Sequence, residues 1–152
     1  MPQILKYAWE EYVAPLFRRP SYPQVAALCY RGKGEEKEIL LVTSRGTGRW
    51  ILPKGWPMEG KAAPDAAAQE AWEEAGVKEA KLGHMPVGAF SYEKALDNGL
   101  VTRCEATVFP LKVKKLADEF PESHERTRKW VAPEKAAKMV DEPGLKRLLR
   151  NF

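Results

Sequence analysis

Residues 55–77 read GWPMEGKAAPDAAAQEAWEEAGV, and the fold and chemistry of the chain are inferred outward from this stretch. Pro64 suits the first turn of a helix and Gly76 the position after its end, so the sequence predicts a helix between them. Alanines at helical spacing form one face of that helix. Three carboxylates gather on another face: Glu70, Glu73 and Glu74. We therefore expect one side to pack closely and the other to form an acidic cluster.

Two interpretations of this acidic cluster are open. Like charges three and four residues apart destabilise an isolated helix by a few tenths of a kcal/mol per pair, at roughly 5–6 Å between Cβ atoms. An ordinary solvated acidic face tolerates that cost. Alternatively, the carboxylates bind a hard divalent cation such as Mg²⁺, which prefers oxygen ligands and keeps several waters while bridging to phosphates.

The approach to the helix favours the metal-binding interpretation. Upstream, Leu52–Gly60 form the end of a strand and a glycine-containing loop that leads into the helix. The segment Gly55–Val77 resembles the Nudix box: Gly, five residues, Glu, seven residues, Arg-Glu, an apolar residue, any residue, Glu-Glu, any residue, Gly and an apolar residue. Seven positions match in register: Gly55, Glu70, Ala71, Glu73, Glu74, Gly76 and Val77. Two positions depart, because Lys61 replaces the first Glu and Gln69 replaces the Arg.

The resemblance implies an α/β fold, a Nudix-type α/β/α sandwich with a mixed β-sheet. It also implies hydrolysis of a phosphoanhydride with the help of Mg²⁺ or Mn²⁺. By position in the box, Glu70 and Glu74 are the implied metal ligands, with the carbonyl of Gly55 as a further one. Glu73, Glu70 and Glu74 are the implied catalytic residues, with Glu73 as a water-mediated ligand, an orienting group or a base. We interpret Lys61 and Gln69 as replacing a structural contact while the metal cluster is retained.

The general base is left open by the sequence. In the Nudix family this residue varies and can lie outside the box. Glu122 and Glu125, which precede Lys129 and Trp130, are the candidates outside it.

Four polar or basic residues in the segment that precedes the box are candidates for binding phosphate: Ser44, Arg45, Arg49 and Lys54. The stretch 43–55 is similar to the corresponding part of the diphosphoinositol polyphosphate and diadenosine polyphosphate branch of the family, where serine and arginine help to hold phosphates. Read by themselves, three cations beside a glycine-containing loop form a sensible phosphate cradle, although each alone is also typical of ordinary surface charge. Trp56 is either rim packing or part of the pocket lining.

The remaining pattern predicts a mixed sheet covered by helices. The expected helices are 3–17, 133–140 and 144–149, the last two being one helix or two broken at Pro143. The expected strands are 24–30, 38–44, 50–52, 87–92, 101–113 and 129–132, with a hairpin joining the first two and Pro110 at a sheet edge or bulge.

Length and composition restrict the class of protein. A chain of 152 residues with 44% apolar residues matches one domain, here residues 1–152 with the box at 55–77.

We expect no membrane-spanning segment and no export signal. Cys29 and Cys104 are predicted to be buried thiols, which suits a cytoplasmic location. A net charge of +4 is mild, and nucleic acid is disfavoured as a partner because exposed aromatics do not alternate with the cations.

The sequence therefore predicts a cytoplasmic, Mg²⁺-dependent Nudix pyrophosphohydrolase whose partner is a phosphorylated small molecule, either an inositol pyrophosphate or a dinucleoside polyphosphate. Within the same class, the alternatives are nucleotides, nucleoside diphosphate sugars and RNA 5′ ends. The rival from another class is a catalytically weak module that binds a nucleotide without cleaving it. The altered positions Lys61 and Gln69 are the observation in its favour.

Overall fold

The computed structural model describes residue 3 and residues 21–152. The helix predicted over Gln3–Phe17 lies outside the described residues, apart from Gln3 itself. Among the helices that are described, none is long and apolar enough to cross a membrane.

The described chain has four strands before its first α-helix, four strands after it, and two short α-helices at its C-terminal end. The strands are β1 (Tyr22–Arg31), β2 (Glu38–Thr43), β3 (Trp50–Ile51), β4 (Lys54–Gly55), β5 (Val77–Leu82), β6 (Gly88–Ala95), β7 (Val101–Leu116) and β8 (Arg128–Val131). The α-helices are α1 (Ala63–Ala75), α2 (Pro133–Met139) and α3 (Pro143–Arg150). Of the two alternatives left open for the C-terminal segment, two helices are observed, since Pro143 begins a second helix.

All eight strands belong to one mixed sheet whose main path runs β3-β2-β1-β7-β5. β4 pairs with β1, β6 with β7 and β8 with β2. β1 and β7 are parallel from the pair Tyr22–Cys104 to the pair Tyr30–Lys112. The predicted hairpin is confirmed, because β1 and β2 pair antiparallel at Tyr30 and Ile39.

The sheet is covered by helices on both faces, which confirms the predicted α/β/α sandwich. Side chains alternate along β1, as the twofold period of a strand requires. Val25, Ala27 and Cys29 pack in the cluster that contains the buried alanines of α1. Ala26 and Leu28 pack in the opposite cluster, which contains the apolar residues of α2 and α3.

Both cysteines are buried and free, as predicted. Burial raises the pKa of the Cys29 thiol to about 12, and the negative charge of Glu74 adds to that shift. At neutral pH Cys29 is therefore a protonated, unreactive core residue.

The structure corrects the expectation for Pro110, which lies in the interior of the sheet and not at its edge. β7 pairs with β1 on one side, while on the other β6 pairs with it as far as Val108 and β5 pairs with it from Leu111. Pro110 occupies the gap between β6 and β5, where its missing N–H removes no hydrogen bond from a strand ladder. Its carbonyl still accepts a 2.8 Å bond from the Gly83 N–H.

Strand β5 was not predicted from the sequence. Its register against β7 shifts between Val77 and Glu79 and again between Glu79 and Ala80. A β-bulge of this kind interrupts the alternation of apolar and polar residues, which is the sequence signal for a strand.

Helix α1 begins and ends as predicted. Pro64 lies in its first turn, and Gly76 closes it in the left-handed conformation with φ of 69°, its N–H bonded to the carbonyls of Ala71 and Trp72. A Cβ at Gly76 would overlap the Phe120 ring and lie 2.7 Å from Arg128 Nη1. Only glycine therefore meets both the backbone and the space requirement at this cap.

We expect Gly76→Ala to lower the free energy of unfolding by about 2–4 kcal/mol, because it adds a steric clash to an unfavourable φ. Gly34→Ala is the matched control: Gly34 has φ of 58°, but no atom of the described residues lies within 4 Å of the position that an alanine methyl would take there. Denaturant unfolding of both variants measures the difference. Equal losses from the two substitutions would contradict the role assigned to the contact with Phe120 and Arg128.

Candidate active site

A cleft of about 810 Å³ lies where the loop after β2, strand β4, helix α1 and the end of β6 converge. It brings together most of the residues singled out in the sequence: Ser44, Arg45, Arg49, Lys54, Gly55, Glu70, Glu73, Glu74 and Glu122. Residues from distant parts of the chain thus share one surface. They meet because β4 pairs with β1, and α1 packs against both of these strands.

Gly55 lies directly against Glu70. A Cβ on Gly55 would overlap Glu70 Oε1 and Cδ and lie 2.8 Å from Oε2, so any side chain there would displace the carboxylate. Glycine at this position is therefore required by the close approach of β4 to α1. The contact explains why the two are fixed relative to each other in the sequence pattern.

Glu74 is buried, with only 4% of its surface exposed. Its Oε2 accepts a 3.2 Å hydrogen bond from the Lys54 backbone N–H, and its Oε1 lies 3.1 Å from Arg126 Nη2. The side chain of Arg126 is itself only 7% exposed. The interpretation of the three glutamates as a purely solvated acidic face is therefore wrong for Glu74.

Arg126 was missed by the sequence interpretation. Besides Glu74, its guanidinium donates to Glu122 Oε1 from Nε at 3.2 Å and from Nη2 at 3.0 Å. It also donates from Nη1 to the carbonyl of Thr43 at 2.8 Å. The available signal was that a buried carboxylate needs a cation, but nothing in the sequence distinguishes Arg126 from the neighbouring Arg128.

Glu73 pairs with one of the two departures from the box. Gln69 Nε2 donates a 2.9 Å hydrogen bond to Glu73 Oε1, one turn along α1. Lys61 is exposed near the start of α1 and does not line the cleft that contains Glu73. It borders a second cavity of about 660 Å³, which Gln69 also borders. Gln69 thus makes a local contact within the helix that orients Glu73 without adding a positive charge.

Two of the carboxyl groups are harder to ionise than usual. Burial, followed by the charges of Glu74 and Glu73, raises the pKa of Glu70 to about 8. Burial also raises the pKa of Glu74, although the charges of Arg126 and Lys54 act in the opposite direction. The crowding of negative charge anticipated from the sequence therefore exists around Glu70, and a bound cation would relieve it.

Lys54 lies between two carboxylates and an aromatic ring. Burial lowers the pKa of its ammonium group, and the charges of Glu74 and Glu142 partly oppose this shift. Its Nζ is 4.8 Å from the centroid of the Tyr92 ring, and the Tyr92 hydroxyl donates to the Gln24 side chain. The Lys54 ammonium group is thereby held inside the cleft, against the Tyr92 ring, and does not extend freely into solvent.

The loop after β2 is closed by its own polar side chains. Ser44 Oγ accepts a 2.9 Å bond from the Arg49 backbone N–H and lies 2.5 Å from Thr47 Oγ1. Arg45 forms ion pairs with Glu122 at 3.3 Å and Glu125 at 3.6 Å. Ser44 therefore shapes the loop and is already hydrogen-bonded, while Arg45 lies at the cleft edge facing both base candidates.

Arg49 points to the other edge of the cleft. Its Nη1 lies 3.8 Å from the exposed Asp141 and 4.0 Å from Glu142, whose side chain is only 10% exposed. Only the first of these pairs is of the solvent-screened kind that contributes little to stability. Glu142 Oε2 is buried and has no hydrogen-bond partner among residues 21–152. Arg45 is exposed and Glu122 keeps Arg126 as a partner, so Arg45 can leave its carboxylates for a phosphate group at small cost. Departure of Arg49 would instead take a cation away from the buried Glu142 carboxylate.

The two base candidates are placed differently. Glu122 lines the cleft, and its backbone N–H bonds to the Glu73 carbonyl at 3.0 Å. Glu125 is exposed and lies outside the lining residues. Of the two, only Glu122 is fixed against the helix that carries the carboxylates.

The donor atoms around Gly55 suit a small divalent cation. Glu70 and Glu74 offer carboxylate oxygens and Gly55 a backbone carbonyl, which are the hard ligands that Mg²⁺ prefers. The space that a Cβ on Gly55 would fill lies directly against the Glu70 oxygens. Within the described part of the chain, no three His, Cys, Asp or Glu side chains form a preassembled metal cage. Magnesium characteristically takes one or two protein carboxylates and completes its shell with water and phosphate.

Comparison with known proteins places these features in a family. A family model described as "NUDIX domain" matches residues 20–152. Diphosphoinositol polyphosphate phosphohydrolase 3-alpha of Mus musculus is 36% identical over 120 residues, covering 77% of this chain and 68% of the relative. "Nudix hydrolase 12, mitochondrial" of Arabidopsis thaliana is 29% identical over 118 residues. That match covers 76% of this chain but only 58% of the plant protein.

Solved structures share the fold. An Ap4A hydrolase from C. elegans superposes with a TM-score of 0.60 at 23% identity, covering 88% of this chain and 96% of that one. A MutT protein from Methanosarcina mazei Go1 also gives a TM-score of 0.60 at 23% identity, covering 90% of this chain and 95% of that one. At this level of identity the similarity establishes the architecture alone.

In metal-free buffer we expect the stability of the protein to fall as the pH rises from about 5 to 8. Glu70 has a pKa of about 8 in the folded state, against about 4.3 in an unfolded chain. Between these values the folded state binds more protons, so the free energy of unfolding decreases with pH. Denaturant titrations in EDTA at four pH values measure the slope. Glu70→Gln should flatten the dependence of stability on pH, whereas substitution of the exposed Glu79 of β5, Glu79→Gln, should leave that dependence unchanged. An unchanged slope in Glu70→Gln would contradict the assignment.

We expect Arg126→Met to lower the free energy of unfolding by about 3–5 kcal/mol, because it leaves Glu74 buried without its cation. Arg128→Met, which removes a 2.8 Å bond to the Ala75 carbonyl, is the neighbouring control and should cost less. Adding Glu74→Gln to Arg126→Met should recover part of the loss, and a double-mutant cycle measures this coupling. Additive losses would show that the two side chains do not depend on each other.

Proposed function

The chain belongs to the NUDIX family, and from this membership and the geometry of the cleft we propose that it is a Mg²⁺-dependent pyrophosphohydrolase of polyphosphorylated small molecules. The observation that carries the proposal is the meeting, in one cleft, of the α1 carboxylates with the cations of the β2–β4 segment. The proposed substrates are an inositol pyrophosphate or a dinucleoside polyphosphate. The names of the mouse phosphohydrolase and of the C. elegans Ap4A hydrolase support these two classes.

The charge balance of the cleft supports a requirement for divalent cations. Its lining contains five basic and six acidic side chains. The basic ones are Arg45, Arg49, Lys54, Lys94 and Arg126, and the acidic ones are Glu70, Glu73, Glu74, Glu93, Asp97 and Glu122. A nearly neutral cleft attracts a polyphosphate weakly by itself. Cations held by the carboxylates would make it strongly positive, so substrate and metal are expected to bind together.

Each side chain has a proposed role in this reaction. Glu70 and Glu74, with the Gly55 carbonyl, would hold Mg²⁺ or Mn²⁺, which would supply positive charge for the phosphate oxygens and make water more acidic. Arg45, Arg49 and Lys54 donate hydrogen bonds to the remaining phosphate oxygens. Ser44 keeps the intervening loop in shape. Glu73 or Glu122 takes the proton from the attacking water, which is held near phosphorus by its hydrogen bonds to these carboxylates.

Arg126 has a proposed positioning role in the same reaction. Its guanidinium bonds to Glu74 and Glu122 at once. The distance between a proposed metal ligand and a proposed base is therefore set by one rigid, planar group. This arrangement supports Glu122 over Glu125 as the base outside the box.

A nucleotide-binding module without catalysis is the second candidate. The observation in its favour is the hydrogen bond that the Gln69 side-chain amide donates to Glu73 Oε1. This bond engages one oxygen of a candidate base. The buried thiols Cys29 and Cys104 support a reducing compartment such as the cytoplasm for either function.

We expect the wild-type protein in Mg²⁺ buffer to release product from diadenosine tetraphosphate or an inositol pyrophosphate, and not from triphosphorylated RNA. Glu70→Gln and Glu74→Gln should each reduce kcat at least about 100-fold, because each removes a carboxylate proposed to hold the metal. Glu79→Gln, remote from the cleft, should retain wild-type turnover. Equal, background-level release from wild type and Glu74→Gln would overturn hydrolysis and favour the binding module.

A further inference from the structure

One large apolar side chain in the cleft is not used by the proposed chemistry. The indole of Trp56 is 42% exposed, although tryptophans are usually well buried. It lines the same cleft as Lys54 and Glu70. Neither phosphate nor Mg²⁺ gains from an exposed aromatic surface, so the phosphate and metal sites do not account for its exposure.

The ring is held in place on two sides. Tyr22 meets it edge-on, with ring centroids 6.5 Å apart and planes at 88°. Lys94, at the opposite wall of the cleft, places Nζ 6.0 Å from the ring centroid. Pro57 follows in sequence and restricts the Trp56 backbone to extended conformations. The indole is therefore preorganised, which lowers the entropy lost when a ligand packs on it.

The position of the ring relative to the phosphate site is fixed by the chain. Gly55, which lies against Glu70, is the residue before Trp56, and consecutive Cα atoms are about 3.8 Å apart. Because Trp56, Lys54 and Glu70 line one cleft, a group attached to a phosphate chain bound beside Glu70 and Lys54 has the indole within reach. Lys94 would then lie beside both the ring and the outer phosphates.

The two proposed substrate classes differ in what they can offer this ring. A nucleobase has a π-face, and stacking on aromatic side chains is a general mode of base binding that tolerates any base. An inositol ring is saturated, and its phosphates are strongly hydrated. Lys94 also favours a ligand that carries both a flat ring and negative charge.

We propose that Trp56 is a stacking platform for the base of a nucleoside polyphosphate, so that the substrate class is a dinucleoside or nucleoside polyphosphate and not an inositol pyrophosphate. This inference rests on the proposed function for the location of the phosphates. It adds a base subsite formed by Trp56, with Tyr22 packed edge-on against the indole and Lys94 Nζ over the ring at 6.0 Å, where an incoming base would displace it.

The test compares two probes with and without a nucleoside. Adenosine 5′-(α,β-methylene)diphosphate and methylenediphosphonate carry the same P–C–P unit, which resists hydrolysis, although the nucleoside ester has one ionisable oxygen fewer. Isothermal titration calorimetry in Mg²⁺ buffer gives the Kd of each, and the change in their ratio between wild type and a variant isolates the contribution of the substituted side chain to adenosine binding. The proteins are wild type, Trp56→Leu, Trp56→Phe and the control Trp130→Leu, which alters a partly buried tryptophan outside the cleft.

We expect wild type to bind the adenosine probe at least about tenfold more tightly than methylenediphosphonate. Trp56→Leu should reduce this preference about tenfold, while Trp56→Phe, which keeps an aromatic face, should reduce it less than about threefold. Trp130→Leu should leave the preference unchanged. Inositol hexakisphosphate, a polyanion without a base, should show no loss of affinity specific to Trp56→Leu.

Three results would overturn the inference. These are a wild-type preference below about twofold, an unchanged preference in Trp56→Leu, and an equal loss in Trp56→Phe and Trp56→Leu. The outcome is separable from that of the proposed function. A Trp56-dependent preference without turnover would support the base subsite and overturn hydrolysis, whereas turnover with no dependence on Trp56 would overturn the base subsite alone.

Discussion

The arrangement of the cleft depends on one buried carboxylate. Glu74 lies in the interior at the end of α1, where an unpaired charge would cost several kcal/mol. It is stabilised from two directions, by the Lys54 backbone N–H of β4 and by the Arg126 guanidinium from the segment before β8. Satisfying this one group therefore brings three separate parts of the chain to one point. The same point is where Glu70, Gly55 and Glu122 converge.

Small residues make this convergence possible. The face of α1 against the sheet consists of Ala66, Ala67, Ala71 and Ala75, all fully buried. Their short side chains let the helix axis approach the sheet closely, and Gly55 removes the last obstacle between β4 and Glu70. Larger apolar residues would bury more surface, but they would lift the carboxylates away from the strand that carries the cations. The helix composition thus follows from the geometry that the site requires.

The sequence allowed most of the fold to be predicted because its strongest signals are local. Helix α1, its glycine cap and the β1–β2 hairpin depend on residues close together in the chain. Strand β5 was missed because a bulge breaks its alternation, and Pro110 was misplaced because its position depends on where β5 ends and β6 begins. Arg126 was missed for the same reason, since its partner lies far earlier in the chain and only the folded protein shows which arginine meets Glu74.

Long-range pairing also explains why the cleft can exchange internal ion pairs for ligand contacts. The pairs of Arg45 with Glu125 and of Arg49 with Asp141 join exposed side chains, where solvent screens the interaction and the free energy of each pair is small. Arg126 and Glu74 are both buried, so separating them would leave an unpaired buried charge at a cost of several kcal/mol. Burial therefore separates the charges into an internal pair that maintains the spacing of the carboxylates and exposed outer arginines that are available to phosphate. A site built in this way keeps its geometry while its surface charges change partners.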